Sequence, residues 1–196
     1  KGIKTVITLV SSELFTPMQQ YASDNDMIIL DCGNTAMSNA LNDTTFRLIP
    51  NDTHEVNALI YQLDKEGIEN VLIIDVNNLD QNNFRSIFES KYTGTVLNTY
   101  LYAKGNTIEV KAFGDETVQM SNENSAILFF GEKLDAIGLE SLEGPVKDKV
   151  VAYKWFGTHL IEFNEEFKRS GLDITFVTHD YRGFGYFMPQ HIDLNN

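Results

Sequence analysis

The residues best suited to chemistry in this sequence are small polar side chains that follow apolar runs. Three apolar runs, at residues 5–10, 27–30 and 71–74, are each followed by hydroxyl, amide or acidic side chains. These side chains are Ser11, Ser12, Asn34, Thr35, Asp75 and Asn77. In an open α/β sheet, ligands bind in the crevice beyond the carboxyl ends of the strands. The pattern therefore predicts a ligand site built from strand ends.

Several of the candidate residues also have a purely structural interpretation. Ser11 or Ser12 would cap the helix that follows, because a serine hydroxyl accepts a hydrogen bond from the first helical turn. Thr35 would be a turn residue. Asp75 and Glu132, which both follow apolar runs, would be solvated loop charges. Trp155 could form an apolar wall of a pocket, whereas a large aromatic residue in an apolar run is more often part of the core.

The sequence offers little for catalysis. The four histidines, His54, His159, His179 and His191, do not have the spacing of a metal site. A nucleophile elbow, a phosphate-binding loop and a dinucleotide-binding glycine motif are all absent from the sequence. Cys32, the only cysteine, has no partner for an intrachain disulfide and is interpreted as a small buried hydrophobic residue. We therefore predict a non-enzymatic protein without a metal ion or cofactor.

Composition narrows the range of partners. The chain has 196 residues, of which 42% are hydrophobic, so it can bury a substantial core. Its formal net charge is −13, which disfavours nucleic-acid binding because phosphate contacts need clustered Lys and Arg. No apolar run approaches the roughly 20 residues that span a bilayer. We expect any targeting segment to lie outside this sequence.

Apolar runs alternate with helical patterns along the chain. The continuous runs at 5–10, 27–31 and 71–75 predict buried parallel strands that are adjacent or nearly adjacent. Thr53 is the predicted N-cap of a helix with an apolar stripe that ends at Gly67. Further strands are predicted at 96–102, 107–113, 126–130 and 150–156, and helices at 134–142 and 163–170. This alternation predicts an α/β fold with a largely parallel sheet and flanking helices.

The ordered set of motifs resembles the type 1 periplasmic solute-binding proteins, which include the branched-chain amino-acid-binding proteins and related receptor domains. The resemblance lies in a Ser-Ser pair after one strand, a Thr-Ala element after the next, an F-R-x-x-P-x-D crossover and a late aromatic stretch. In this chain these are Ser11-Ser12, Asn34-Thr35-Ala36, residues 46–52 and residues 163–181. The family's usual chain is longer, and its first two strand–helix units have no counterpart here. Its D-x-x-Y-G motif is also missing after Asp75, so the aromatic residue that stacks on the ligand is not identified.

The resemblance implies two lobes or partial lobes, with residues 1–50 and 160–196 in the first and 51–159 in the second. In the family, hydroxyl groups and backbone N–H groups at the first two strand ends hold the carboxylate of the ligand. This role would fall to Ser11, Ser12, Asn34 and Thr35. An acidic residue of the other lobe, Asp75 or Glu132, would hold an amine. Asn77 and Trp155 complete the predicted set.

The function implied by the resemblance is extracytoplasmic binding of a small polar ligand of the amino-acid type by a transport protein. Two alternatives are a sensor domain of a membrane receptor and a structural surface protein that keeps the fold without the pocket. Because the first strand–helix units of the family are missing, we also expect an uncovered sheet edge or helix-packing face. A second copy or a different subunit would cover it. A membrane partner is a separate expectation of the transport or sensor role.

Overall fold

The structure is a computed structural model of the chain. It describes residues 2, 4–10, 12–33, 44–76, 82–102, 124–131, 143–158, 174–179 and 187–192. In chain order the elements are β1 (Thr5–Thr8), α1 (Ser12–Asp24), β2 (Ile28–Asp31), β3 (Thr45–Arg47), α2 (Asp52–Lys65), β4 (Asn70–Val76), α3 (Asn82–Lys91), β5 (Thr95–Tyr102), β6 (Ser125–Phe130), α4 (Gly144–Val151), β7 (Lys154–Gly157), β8 (Ile174–His179) and β9 (Phe187–Ile192).

The strands form two sheets. The smaller sheet is parallel and has the order β1-β2-β3. The larger sheet has the order β5-β4-β6-β7-β8-β9, and all of its pairs are parallel except β8 with β9. The predicted α/β fold with largely parallel sheets and flanking helices is therefore confirmed.

Strand pairing corrects part of the predicted arrangement. The first two predicted strands do pair in parallel, with Val6 opposite Ile29. The third, β4, belongs to the other sheet, so the prediction that all three are near neighbours is wrong. An apolar run indicates a buried strand but carries no information about which strand it will pair with. Strands β8 and β9 continue the larger sheet beyond β7, and the division into lobes stays a prediction.

The larger sheet has an extensive core on the face that carries Val71, Ile73 and Leu128. Helices α2 and α3 pack on this face through their apolar stripes. The core cluster comprises Val56, Leu59, Leu63, Ile68, Val71, Ile73, Phe84, Phe88, Ala126, Leu128, Phe130 and Phe156. Because β4 and β6 are central strands, their residues from Val71 to Asp75 and from Ser125 to Phe130 are buried throughout, as continuous apolar runs predict.

Local chemistry sets the ends of α2. Asn51, and not the predicted Thr53, is the N-cap residue, and its side-chain oxygen accepts a hydrogen bond from the His54 backbone N–H at 3.2 Å. The His54 ring returns the interaction, since its Nδ1 lies 3.4 Å from the Asn51 backbone nitrogen and accepts from it. The helix ends before Gly67, whose φ of +69° suits glycine, and this end was predicted.

The predicted strand at 150–156 is wrong in its first half. Residues up to Val151 complete helix α4, which has Pro145 in its first turn, and only Lys154–Gly157 form β7. Val150 is buried at the end of the helix and Trp155 is buried in the strand. One apolar run therefore spans two elements, which periodicity alone does not separate over so short a distance. The predicted strand at 107–113 and the predicted helices at 134–142 and 163–170 lie outside the described residues.

The smaller sheet is covered on one face only, among the described residues. Helix α1 packs on the face that carries Val6 and Ile29, with Phe15 and Ala22 at the centre of a small core. Ile7 and Leu9, on the other face of β1, are exposed. The prediction that the first two strands are buried on both faces is thus wrong, because an apolar run shows what a strand can bury and not what is present to cover it.

Candidate functional site

Three of the eight predicted site residues lie in the described part of the chain. Ser12 is the first residue of α1, Asp75 lies near the end of β4, and Trp155 lies in β7. The remaining five, Ser11, Asn34, Thr35, Asn77 and Glu132, lie outside the described residues.

Asp75 is a fully buried carboxylate at the carboxyl end of the larger sheet. It lies opposite Phe130 of β6. Its Oδ2 atom forms an ion pair with Nη1 of Arg85 on α3, at 3.0 Å, and Nε of Arg85 lies 4.0 Å from Glu89. The alternative interpretation of Asp75 as a solvated loop charge does not fit this burial.

The burial of Asp75 changes its acidity. The pKa of the Asp75 carboxyl is raised from 3.8 to about 6. Desolvation by burial is the largest cause, the Arg85 charge opposes it by lowering the pKa, and the Glu89 charge adds to the rise. Neither carboxylate oxygen accepts a well-aligned hydrogen bond from the described residues. A buried carboxylate without such donors has a strong tendency to acquire a proton or a cationic partner.

The topology places Asp75 at a special position in the larger sheet. Strand β5, the next strand along the chain, pairs with one edge of β4. Strand β6 pairs with the other edge of β4, and β7 and β8 continue the sheet beyond β6. The strand order therefore reverses between β4 and β6. In sheets of this order, the carboxyl ends of the two strands at the reversal form the crevice in which ligands bind.

Thr158 carries a buried hydroxyl at the same end of the sheet and was not predicted as a site residue from the sequence. It directly follows β7, and Gly157 pairs with Phe129, so Thr158 continues the row of Phe130 and Asp75. This row puts Thr158 about 10 Å from Asp75 across two strand spacings. Its Oγ1 atom is buried without a hydrogen-bond partner among the described residues. In the sequence, its position directly after an apolar strand is the feature that could have identified it as a candidate site residue.

Trp155 is not brought together with Asp75. Trp155 pairs with Ile127 and Asp75 pairs with Phe130, so the two side chains project from opposite faces of the sheet. Trp155 is fully buried, and its indole N–H donates a hydrogen bond to the Val150 carbonyl at 3.0 Å. This environment is that of a core residue.

The smaller sheet also carries polar side chains at its carboxyl end. Thr8, Asp31 and Arg47 are register partners across its three strands. The Thr8 hydroxyl donates to Oδ1 of the buried Asp31 at 3.2 Å, and the Gly33 N–H donates to the same atom at 3.2 Å. Nε of Arg47 lies 4.0 Å from Oδ2 of Asp31. From the sequence alone, Arg47 was assigned only to the crossover motif. Thr8 and Asp31 were not predicted as site residues, although each ends an apolar strand.

Within the described ranges, no cluster of His, Cys, Asp or Glu side chains is arranged to hold a metal ion. Those ranges also contain no helix that is both long and apolar enough to cross a membrane. The acidic and hydroxyl groups at the carboxyl ends of the two sheets are the described groups best suited to binding a ligand.

Comparison with solved structures shows what this fold is similar to. An ABC transporter substrate-binding protein from Desulfitobacterium hafniense, in complex with Leu, matches with a TM-score of 0.67 and 15% identity, over 91% of this chain and 52% of that chain. A solute-binding protein of an ABC transporter from R. palustris, in complex with benzoate, matches with a TM-score of 0.66 and 14% identity, over 92% and 51%.

A putative branched-chain amino acid ABC transporter protein from Rhodospirillum rubrum matches with a TM-score of 0.60 and 17% identity, over 89% of this chain and 51% of that one. No protein-family model matches the sequence, and no curated protein matches it. The chain spans about half the length of these solved structures. The resemblance found in the sequence motifs is confirmed at the level of the fold: this chain has the α/β fold of the substrate-binding proteins of ABC transporters, in a form that corresponds to a shortened type 1 periplasmic-binding fold.

Proposed function

We propose that the protein binds a small polar solute of the amino-acid type and releases it unchanged, as a transport-type solute-binding protein. The observation that carries this proposal is the position of Asp75, a buried carboxylate at the carboxyl end of β4, where the strand order reverses. Polar groups at such a reversal are suited to ligand binding. The similarity of the fold to proteins solved with Leu or with benzoate supports the same reading.

The charges around Asp75 favour an amine as the group that binds there. Two carboxylates, Asp75 and Glu89, surround one guanidinium, Arg85. The cluster is therefore short of one positive charge when both acids are ionised. A ligand ammonium beside Asp75 would supply that charge and would donate to carboxylate oxygens that lack aligned donors.

The carboxylate of the ligand would be held by the predicted hydroxyl and amide groups, namely Ser11, Ser12, Asn34 and Thr35. Ser12 opens α1, and a helix N-terminus favours anions because its free N–H groups point outward. Asn77 and Glu132 complete the proposed set of ligand-binding residues. The same proposal includes an extracytoplasmic location, because the fold is similar to that of the substrate-binding proteins of ABC transporters.

A structural surface protein is the second candidate. The exposed apolar face of the smaller sheet favours it, because a surface of this kind is suited to assembly with another polypeptide. A sensor domain of a membrane receptor would use the same pocket as the transport protein, so the detection of ligand binding would support both roles.

The experiment is a thermal-shift screen of the purified chain against amino acids, matched amines and matched carboxylates, followed by calorimetry. We expect an amino acid to bind, and Asp75→Asn, Ser12→Ala and Thr35→Ala each to weaken binding about tenfold or more, since a hydrogen bond to a charged group contributes about 1.5–3 kcal/mol. Asp64→Asn and Ser23→Ala, on exposed helix surfaces, are the matched controls. A screen without any shift would favour the structural protein.

A further inference from the structure

The carboxylate of Asp75 is closed off from solvent in this structure. Its side chain has no exposed surface, so a ligand ammonium reaches it only after a neighbouring group has moved. Arg85 contacts Asp75 at 3.0 Å, and 24% of the Arg85 side chain is exposed. The Arg85 side chain thus extends from the surface to the buried carboxylate. A cation of the protein already pairs with the group that the proposed ligand would use.

The ion pair between Arg85 and Asp75 is not of the strongest kind. Strong pairs of arginine with a carboxylate are bidentate, with two parallel N–H···O hydrogen bonds. Here neither oxygen of Asp75 accepts a well-aligned hydrogen bond from the described residues. An ammonium group has three N–H donors on one freely rotating atom, so it can align with a carboxylate that a guanidinium approaches poorly. A primary ammonium would therefore supply Asp75 with hydrogen bonds that Arg85 does not.

Arg85 has a second carboxylate within reach. Glu89 lies four residues further along α3, on the same side of the helix, and 43% of its side chain is exposed. Nε of Arg85 is 4.0 Å from Oε1 of Glu89, which is about 1 Å longer than an N–H···O hydrogen bond. The guanidinium thus lies between a buried carboxylate and an exposed one. A small rotation of the Arg85 side chain would move it from the first to the second.

The backbone around Arg85 is held in place by aromatic packing. Phe84 and Phe88, which flank Arg85 on α3, both pack on Phe130, with ring centroids 6.4 Å and 6.0 Å apart. Phe130 is the register partner of Asp75, and all three rings are buried. Lifting α3 from the sheet would expose these rings, whereas rotating one partly exposed side chain would not. The Arg85 side chain is therefore the part of this site that is suited to move.

We propose that Arg85 determines the specificity of the amine site: it pairs with Asp75 in the free protein and moves to Glu89 when a primary ammonium of the ligand takes its place. This inference rests on the proposed function, in which Asp75 binds the ligand amine. The exchange leaves two cations paired with two carboxylates, the ammonium with Asp75 and Arg85 with Glu89. Glu89 is then a positioning residue, because it holds the displaced guanidinium and does not touch the ligand.

The exchange defines the class of ligand that the site accepts. A ligand with a carboxylate but no amine cannot replace Arg85, since removing Arg85 alone would leave Asp75 as an unpaired buried charge. A quaternary ammonium has no N–H donor, so it would leave the Asp75 oxygens without hydrogen bonds. The site therefore selects primary amines, such as amino acids, over their deaminated and trimethylated counterparts.

The test is calorimetry with the common amino acids, titrated singly at about pH 8, where the Asp75 carboxyl is ionised because its pKa is about 6. We expect Glu89→Gln to weaken binding about threefold or more. In the Arg85→Gln background the same change should have almost no effect, because no displaced guanidinium remains for Glu89 to hold. Lys91→Gln, on the exposed end of α3, is the matched control. Circular dichroism verifies that each variant folds.

A second measurement needs no ligand. Asp75→Asn removes the first partner of Arg85, so the Nε–Hε resonance of Arg85 should become sensitive to Glu89→Gln in that background and stay nearly insensitive to it in the native protein. An Arg85 resonance that ignores Glu89 in both backgrounds would overturn the inference. An equal effect of Glu89→Gln on affinity with and without Arg85 would also overturn it, since Glu89 would then attract the ammonium directly. Absence of binding by every amino acid would overturn the proposed function and the inference with it.

Discussion

The backbone of Gly33 passes so close to Leu9 that a Cβ atom on Gly33 would lie 2.7 Å from the Leu9 carbonyl carbon and 2.9 Å from its Cα. These neighbours are backbone atoms, which cannot rotate away as a side chain can. The contact joins the segments that follow β1 and β2.

Gly33→Ala should therefore lower the free energy of unfolding by about 1–3 kcal/mol, because the two chain segments must separate to admit the methyl group. The measurement is urea denaturation followed by fluorescence. Gly2→Ala is the matched control, since a Cβ there meets nothing within 4 Å. Equal stability of the two variants would show that the strand ends separate without cost.

Arg85→Gln should destabilise the protein by about 2–3 kcal/mol at pH 7, because it leaves the buried Asp75 carboxylate without its ion-pair partner. The double variant Asp75→Asn/Arg85→Gln should recover most of this loss, since no buried charge remains. Lys91→Gln, on the exposed end of the same helix, is the control. A loss no greater than that of the control would mean that Asp75 has another compensating partner.

Stability should also depend on pH through Asp75. The pKa of its carboxyl is about 6 in the folded protein, against an ordinary value of 3.8, so the folded state binds the proton more tightly than the unfolded chain. Its contribution therefore favours folding below about pH 4 and is lost as the pH rises from about 4 to about 6. The difference in unfolding free energy between Asp75→Asn and the native protein should thus change by roughly 3 kcal/mol at most across this window. A difference that stays constant from pH 4 to pH 7 would contradict the raised pKa.

Trp155→Phe should cost about 2–3 kcal/mol of stability, since it removes a buried hydrogen bond to Val150 and part of a large buried side chain. Ligand affinity should be unchanged, because Trp155 and Asp75 lie on opposite faces of the sheet. Thermal melting and calorimetry on the same samples separate the two effects, with Tyr61→Phe, on an exposed helix surface, as the aromatic control. A tenfold loss of affinity with little change in stability would restore Trp155 as a pocket wall.

Sequence patterns predicted the larger sheet better than the smaller one, for a physical reason. Residues 71–75 and 125–130 are in central strands, where a continuous apolar run and burial on both faces coincide. Residues 5–10 have the same apolar character, but β1 is an edge strand, and edge position depends on pairing partners that a local pattern does not encode.

The site shows a similar limit. Asp75 was predicted from its place after an apolar run, and the structure adds that it is buried and paired. Its partner Arg85 lies on a helix ten residues later, beyond a polar stretch with no periodicity, so nothing in the sequence joined the two. Thr8, Asp31 and Arg47 meet only because the parallel register aligns three strand ends, and that register becomes apparent only in the folded sheet.

The unequal cores of the two sheets have a consequence for how the molecule melts. Among the described residues, the core of the smaller sheet consists of Phe15, Ala22 and Ile29, whereas twelve buried residues form the core of the larger sheet. The smaller sheet should therefore behave as a separate cooperative unit that opens at a lower temperature than the rest, since local opening free energies follow the local number of buried apolar contacts. Calorimetric scans should resolve two endotherms, and a solute held by the strand ends of the smaller sheet should raise the first of them and leave the second in place.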